Sequence, residues 1–282
     1  MRYLRFMKLP ESNTPSLFDR RALALHRARA RDDALFLHHA SVDEVQDRLS
    51  MVNRTFTDPA IVTPFASVWA NRLPNAKIVA DDEVLALAPE AHDLVIHAMA
   101  LHWANDPVGQ LIQCRRALRP DGLLLAICLG GETLTELRAA LGQSEIAVTQ
   151  GLSPRVIPMP ELRDLGSLLQ RAGLTLPVAD SLPLQAEYRD IYHLMQDLRA
   201  MGETNALTER LKNPTRRAVF DAAQKLYAKH FSSPSGRLKA TFELICLTAW
   251  SPDDSQPKPL RPGSAKTRLA EALRTEERKL PD

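Results

Sequence analysis

Apolar residues along the chain fall into short runs that alternate with longer segments of helical periodicity. The runs indicate six strands, at 60–62, 76–79, 93–98, 123–129, 183–188 and 242–247. Segments with helical spacing lie between them, at 66–72, 107–118, 132–140, 161–172, 192–201 and 214–231. The central strands are continuously apolar rather than alternating, which is typical of a parallel sheet covered by helices on both faces. The pattern predicts an α/β fold with an open, doubly wound, mostly parallel sheet.

The clearest unit in this pattern is a strand, a helix and a second strand between residues 93 and 129. The first strand runs into a loop that carries His102, Trp103 and Asn105, and the turn 119–122 precedes the second strand. Ligands of open α/β sheets bind beyond the carboxyl ends of the strands. The pattern therefore predicts that His102 and Trp103 lie at a ligand-binding edge. An edge histidine with satisfied hydrogen bonds and an indole that only packs are the alternative interpretation.

The rest of the chain is assigned around this unit in three parts. Residues 1–50 are predicted as an N-terminal helical segment, in which Ser41 and Glu44 form a capping box for a helix through about Leu49. Residues 51–250 are predicted as the α/β domain, with a helical insertion at about 189–232. Residues 251–282 are predicted as an extended arm followed by a short helix over 266–278.

Composition restricts the classes of partner. The chain has 282 residues, 45% hydrophobic and 25% charged, with 36 basic and 34 acidic residues and a net charge of +2. This balance predicts no nucleic-acid partner. Two basic clusters are interpreted as solvated helix faces, or as contacts for an acidic partner or an anionic membrane. They consist of Arg20, Arg21, Arg27, Arg29 and Arg31, and of Arg210, Lys212, Arg216 and Arg217.

Membrane and metal signals are absent from the sequence. No apolar run reaches the roughly 18 residues that a membrane span needs, and the N-terminus lacks the apolar core of a secretory signal. Cys114, Cys128 and Cys246 have no metal-ligand spacing, so no metal site is predicted and reduced thiols are expected. A cytoplasmic protein is expected, and peripheral membrane contact stays open.

Motifs along the chain resemble one enzyme superfamily. The segments 79–83 (Val-Ala-Asp-Asp-Glu), 92–95, 101–106 (Leu-His-Trp-Ala-Asn-Asp), 118–122 and 130–134 follow the order seen in class I S-adenosylmethionine-dependent methyltransferases, in the BioC-like branch. More closely, the chain resembles bacterial relatives of the mitochondrial complex I assembly factor 5. That match rests on 17–20 (Leu-Phe-Asp-Arg), 153–155, 197–205 (Asp-Leu-Arg-Ala-Met-Gly-Glu-Thr-Asn) and 261–265.

The resemblance carries several expectations. It implies a seven-stranded, Rossmann-like methyltransferase sheet, S-adenosylmethionine as cofactor, and a protein substrate or partner in the maturation of respiratory complex I. The mitochondrial relative is associated with hydroxylation of an arginine in a complex I subunit rather than with methyl transfer.

The first strand–helix loop departs from the superfamily. Its usual glycines let the backbone approach the cofactor closely, but residues 60–66 contain Thr63 and Pro64 and no glycine. Asp81 matches the acidic position near the adenine in the family, and Asp82 is adjacent, although both could instead cap the next short helix. The residues predicted to border a cofactor are Thr63, Pro64, Asp81, Asp82, His97 and Met99. For His97 a hydrogen-bonded core role is the alternative.

The catalytic candidates are His102, Trp103, Glu203 and Asn205. Glu203 is the carboxylate best placed to hold a cationic substrate such as an arginine, by charge-assisted hydrogen bonds. The main hypothesis is a methyltransferase-like transferase that acts on, or chaperones, a protein partner in complex I assembly. The alternatives are a pseudoenzyme that has lost S-adenosylmethionine binding with its glycine-rich loop, and a small-molecule methyltransferase that resembles the biotin-pathway enzymes.

Overall fold

The computed structural model describes residues 16–257, Ser264 and 267–275. The chain divides into two compact units, Met1–Pro252 and Asp253–Asp282. The strands are β1 (Pro59–Val62), β2 (Lys77–Val79), β3 (His92–Ala98), β4 (Leu118–Leu129), β5 (Thr175–Tyr188) and β6 (Leu238–Trp250). The helices are α1 (Arg20–Arg27), α2 (Phe36–Met51), α3 (Ala66–Trp69), α4 (Pro107–Ala117), α5 (Thr135–Thr149), α6 (Leu162–Arg171), α7 (Ile191–Ala200), α8 (Arg217–His230) and α9 (Leu269–Leu273).

The six strands form one sheet in the order β2-β1-β3-β4-β6-β5. The pairs β1–β2, β1–β3 and β3–β4 are parallel, and β6 runs antiparallel to both β4 and β5. This confirms the predicted α/β, mostly parallel sheet. The resemblance implied seven strands, whereas the described part of the chain has six. Only the short segment 80–91 joins β2 to β3, which leaves no length for another helix and strand.

Both faces of the sheet are covered, because successive side chains of a strand point to opposite faces. On β3, Leu94 and Ile96 pack into the larger apolar cluster, with α2, α5, α7 and α8. Val95 faces the other cluster, with α4 and α6. Every residue of β3 from Leu94 to Ala98 is buried, which explains why its sequence shows no polar alternation.

Some predicted boundaries were wrong. The helix predicted to start at Ser41 begins at Phe36, and the Ser41 hydroxyl donates to the His38 carbonyl inside α2. The turn predicted at 119–122 lies within β4, whose extra residues pair with β3 across a register shift. The last predicted helix is described only as Leu269–Leu273, and the rest of 266–278 and of the predicted arm lies partly outside the described residues.

The structure also bears on the predictions for the cysteines, the N-terminal segment and the membrane. Cys114, Cys128 and Cys246 are all buried free thiols, as packing of small hydrophobic residues requires. From residue 16 onward, the predicted N-terminal segment belongs to the same compact unit as the sheet. None of the helices in the described ranges combines the length and apolarity that crossing a bilayer requires.

Candidate functional site

The segment before α1 positions the loop that follows β3. The Phe18 amide donates to Asn105 Oδ1 at 2.8 Å, and Asn105 Nδ2 donates back to the Phe18 carbonyl at 3.2 Å. The Phe18 ring meets the Trp103 indole edge-on, with centroids 5.2 Å apart. Asp19 then caps α1 by accepting from the Ala22 amide. The loop with Trp103 is therefore fixed from the N-terminal side.

Glu203 lies at the centre of a buried polar cluster beyond the ends of β3 and β4. The Trp103 indole N–H donates to Glu203 Oε2 at 2.8 Å, and His102 Nε2 lies 3.4 Å from the same oxygen. His102 Nδ1 accepts from the Leu129 amide, which leaves the ring proton on Nε2, facing Glu203. The structure thus brings together three of the four predicted catalytic residues, from the β3 loop and from the segment after α7.

A third ring, His38 of α2, completes this cluster. Its Nε2 lies 3.7 Å from Glu203 Oε1, beyond hydrogen-bonding distance, and neither atom has a hydrogen-bond partner among the described residues. His38 is 2% exposed. His38 was not among the residues predicted from the sequence, because no local pattern on α2 connects it with a segment far along the chain.

Glu203 is the acidic group of this cluster. Burial opposes ionisation of the carboxyl, but interactions with His102 and His38 hold the pKa of Glu203 well below its usual value. Burial lowers the pKa of His38, against the opposing influence of Glu203. The result is an ionised carboxylate with one oxygen bound by Trp103 and the other open to a further donor.

Glu203 lines a largely apolar cavity of about 180 Å³, called here the inner cavity. Most of its wall comes from aliphatic side chains of α2, α5, α7 and the 155–159 segment, together with the aromatic rings of Trp103 and Phe242. Its lining residues are Leu37, Trp103, Leu129, Thr133, Leu134, Leu137, Leu141, Arg155, Val156, Ile157, Met159, Met195, Leu198, Arg199, Glu203, Thr204, Asn205 and Phe242. Concave apolar sites with few polar groups are typical of ligand sites.

Asn205, the fourth predicted catalytic residue, also lines the inner cavity but is engaged in holding its wall. Its Nδ2 donates to the Pro154 carbonyl at 2.6 Å, and its Oδ1 accepts from the Leu207 amide at 2.9 Å. These bonds tie the segment after α7 to the 153–155 segment. Both segments carried the closer family resemblance.

Asp81, predicted to lie near an adenine, forms ion pairs with α1. Arg27 Nη1 reaches both carboxylate oxygens, at 2.9 and 2.8 Å, and Arg20 Nη1 lies 3.2 Å from Oδ2. Arg20 also donates to the Asp81 carbonyl at 2.6 Å. Burial opposes ionisation, but the charges of Arg27 and Arg20 lower the pKa of Asp81 below its ordinary value. A polar cavity of about 630 Å³ adjoins this pair.

The remaining residues predicted to border a cofactor are mostly occupied by the fold itself. Thr63 accepts from the Phe65 amide through its hydroxyl, after Pro64. The Asp82 carbonyl accepts from Gln110, whose side-chain oxygen faces His97 Nε2 at 3.2 Å. His97 and Met99 are completely buried. Neither lines the inner cavity or the cavity beside Asp81.

S-adenosylmethionine does not fit these residues in the manner that the resemblance implied. An adenine amino group would need the Asp81 carboxylate as acceptor, but the oxygens of that carboxylate already bind two guanidinium groups. The first loop has no bare backbone at Thr63–Phe65, and the Phe65 ring packs edge-on against His38 with centroids 4.7 Å apart. We therefore derive no reaction step through this cofactor.

Among the residues that the structure describes, one group outside this site has metal-ligand atoms close together: Glu44, Asp180 and Cys246. The positive charge beside these carboxylates comes from Arg48, whose guanidinium binds both Glu44 and Asp180. These ion pairs join α2 to the edge strand β5.

Comparisons with known proteins agree with this architecture. A sequence profile described as a methyltransferase domain matches residues 34–126. The arginine-hydroxylase NDUFAF5, mitochondrial, of Danio rerio is 35% identical over 221 residues, covering 78% of this chain and 68% of its own. The chain belongs to the NDUFAF5 family.

The chain is also similar to further arginine-hydroxylases and to methyltransferases. The chain spans 44 to 59% of the length of four further arginine-hydroxylases of this name, which include the Homo sapiens protein at 34% identity. The malonyl-[acyl-carrier protein] O-methyltransferase of Methylovorus sp. is 37% identical over 175 residues, 62% of this chain and 56% of its own. A solved putative methyltransferase from Bacillus halodurans aligns at a TM-score of 0.47 and 14% identity, over 75% of this chain and 99% of its own.

Proposed function

We propose that this chain binds an arginine side chain of a protein partner in the inner cavity and serves the hydroxylation of that arginine during assembly of respiratory complex I. The observation that carries the proposal is the ionised Glu203 carboxylate, buried in an apolar cavity with one oxygen lacking a hydrogen bond. The relatives in the same family that are named arginine-hydroxylases support the choice of arginine.

A guanidinium suits this carboxylate for physical reasons. An ionised carboxylate in an apolar cavity is costly unless a donor or a positive charge compensates it. Glu203 Oε1 has no hydrogen-bond partner in the described part of the chain, and the ring nitrogen that faces it, His38 Nε2, lies 3.7 Å away. A guanidinium carries its charge on planar N–H donors that match a carboxylate, and its aliphatic stem is compatible with a wall of leucine and methionine.

The residues of this chain would bind and orient the arginine. Glu203, already fixed by Trp103 at 2.8 Å, would hold the guanidinium. The surrounding apolar side chains would exclude water from the arginine stem, so that one carbon is presented in a defined place. In overall balance, hydroxylation converts a substrate C–H group, dioxygen, two electrons from an external reductant and two protons into C–OH and one water.

The test compares peptides with a central arginine with the same peptides carrying citrulline, which has a similar shape but no charge. We expect arginine peptides to bind the wild-type protein and citrulline peptides to bind much more weakly in isothermal titration. Glu203→Gln should reduce arginine binding by roughly thirty-fold, about 2 kcal/mol, because the guanidinium loses its counter-charge. Equal binding of both peptides, or of wild type and a folded Glu203→Gln variant, would overturn the proposal.

A matched control comes from the same segment. Glu209→Gln removes an exposed carboxylate six positions further along the chain and leaves the inner cavity unchanged. This variant should bind arginine peptides like wild type. In the organism that carries the gene, mass spectrometry of complex I subunits should find an arginine that lacks one oxygen atom when Glu203→Gln replaces the wild-type protein, but not when Glu209→Gln does.

A further inference from the structure

The inner cavity adjoins a surface groove of about 460 Å³, called here the outer groove. Six residues line both, so they form the wall between the cavity and the surface: Leu141, Arg155, Met195, Arg199, Thr204 and Asn205. Arg29 and Arg199 also line an adjoining cleft of about 490 Å³. A ligand that enters the inner cavity from this side passes over a surface rich in arginine.

Two of the arginines here have no acidic partner among the described residues. Arg29, after α1, and Arg199, at the end of α7, are exposed and form none of the ion pairs found in the structure. The neighbouring cations are compensated instead. Arg155 binds Glu145, Arg210 binds Asp19, and Arg31 pairs with Asp33.

The acidic residue that lines the cleft with these two arginines forms no ion pair with either of them. Asp197 lines the same cleft, but its Oδ2 accepts from the Tyr188 hydroxyl at 2.8 Å and forms no ion pair with Arg29 or Arg199. The pKa of His26, which lines the outer groove, is lowered by burial and also by the charges of Arg210 and Arg29. The outer groove is therefore positively charged.

This charge creates a problem for the substrate of the proposed function. An isolated arginine that approaches Glu203 passes Arg199, which lines both spaces, and like charges repel each other over this range. An acidic residue beside the substrate arginine removes the conflict, because it pairs with the unpaired guanidinium groups while the arginine reaches Glu203.

We propose that the outer groove and its cleft bind acidic residues that flank the substrate arginine, so that the chain selects an arginine within an acidic protein segment. The inference rests on the proposed function, since it assumes that an arginine occupies the inner cavity. Protein is favoured over a polyphosphate partner because the ionised Glu203 lies directly behind the groove, and because Met195, Leu211 and Phe220 give the groove apolar contacts.

The test uses four peptides of the same length. Three carry a central arginine flanked by glutamate, glutamine or lysine, and the fourth carries citrulline flanked by glutamate. With the wild-type protein we expect the glutamate-flanked arginine peptide to bind roughly three- to tenfold more tightly than the glutamine-flanked one, as two exposed ion pairs allow. The lysine-flanked peptide should bind most weakly. The difference should shrink as salt is added.

Charge reversal provides the decisive arm. The double variant Arg29→Glu, Arg199→Glu should invert the order, so that the lysine-flanked arginine peptide binds best. The control double variant Arg163→Glu, Arg171→Glu makes the same change in charge on α6, which packs on the opposite face of the sheet. It should keep the wild-type order.

The outcomes separate this inference from the proposed function. If arginine peptides bind through Glu203 but flanking charge has no effect, or the order does not invert, the inference is overturned and the proposed function survives. If the citrulline peptide binds as well as its arginine counterpart, the proposed function fails. Binding of anionic vesicles or single-stranded RNA that is lost in the Arg29/Arg199 double variant, with peptide binding unchanged, would assign the groove to another class of partner and overturn the inference.

Discussion

Asp81 shows how a single side chain changes the use of a site. It is 8% exposed, and three of its contacts within 3.2 Å come from guanidinium groups of Arg20 and Arg27. Removing the charge leaves those groups buried or half-buried without compensation. Asp81→Asn should therefore lower the free energy of unfolding by about 3 kcal/mol, measured by urea denaturation at pH 7. Asp58→Asn, which removes an exposed partner of Arg119, should change it little.

The same residue predicts a pH dependence. The pKa of Asp81 is lower in the folded protein than its ordinary value of 3.8. The stabilisation that it supplies is therefore fully present above about pH 4 and is lost as the pH falls below that value. The stability difference between wild type and Asp81→Asn should narrow as the pH falls below about 4, down to the lowest pH at which the wild-type protein stays folded. A difference that stays constant across this range would contradict the assigned ion pairs.

At this scale the sequence predicted part of the site. His102 and Trp103 follow a strand at the ligand edge, and the long motif around Glu203 carried the family resemblance, so all three residues were candidates. In the structure, Glu203 Oε2 lies 3.4 Å from His102 Nε2 and 2.8 Å from Trp103 Nε1. Arg20 and Arg27 were interpreted as part of a solvated face. Their spacing of seven residues places them on one side of α1, and that signal could have suggested a shared acidic partner.

On the scale of the elements, the end of α7 packs closely against α1 at Arg27, one of the two arginines that bind Asp81. Gly202 follows α7 with φ +79°, and a Cβ there would lie 3.1 Å from the Arg27 Cα. Gly236 has nearly the same φ, +77°, and nothing within 4 Å of such a Cβ. Gly236→Ala should cost only the backbone strain, about 1 kcal/mol, and Gly202→Ala should cost roughly twice that or more.

Thermal and urea unfolding of the two variants measure this difference. The excess cost of Gly202→Ala arises from displacing Arg27, so it should fall when Asp81→Asn is already present, because the displaced guanidinium then has no ion pair to lose. Equal destabilisation by the two glycine substitutions would mean that the contact with α1 contributes nothing.

Strands and helices were predicted correctly where the burial of a segment is continuous. Their boundaries were predicted wrongly where contacts with distant parts of the chain determine them. All six strands were predicted, but β5 was expected only at 183–188 and extends from Thr175. Its first residues are mostly exposed and contain Pro177 and Asp180, and they are held in a strand by pairing with β6. The start of α2 was missed because Phe36 packs on Phe242, with ring centroids 5.7 Å apart, far along the chain.

On the scale of the whole molecule, the strand order β2-β1-β3-β4-β6-β5 brings the carboxyl ends of the parallel strands β1, β3 and β4 to one edge of the sheet, where ligands of open α/β sheets bind. The contents of that edge differ from those the resemblance implied. Arginines of α1 fill the acidic position, and the open carboxylate is Glu203, behind the β3 loop. The fold is therefore consistent with relatives of both names, methyltransferase and arginine-hydroxylase, whereas the side chains favour a cationic ligand.

The contents of the ligand edge predict that S-adenosylmethionine does not bind this protein. S-adenosylmethionine and S-adenosylhomocysteine should produce no binding heat with the folded protein in isothermal titration at millimolar ligand, because the Asp81 oxygens are bound to Arg20 and Arg27 and the first loop has no glycine. A methyltransferase with established S-adenosylhomocysteine binding, titrated under the same conditions, serves as the positive control. Micromolar binding that disappears in Asp81→Ala would contradict the prediction, since the adenine would then have displaced both arginines from the carboxylate. It would also return methyl transfer to the chemistry of this site, with the Glu203 carboxylate left to bind the acceptor.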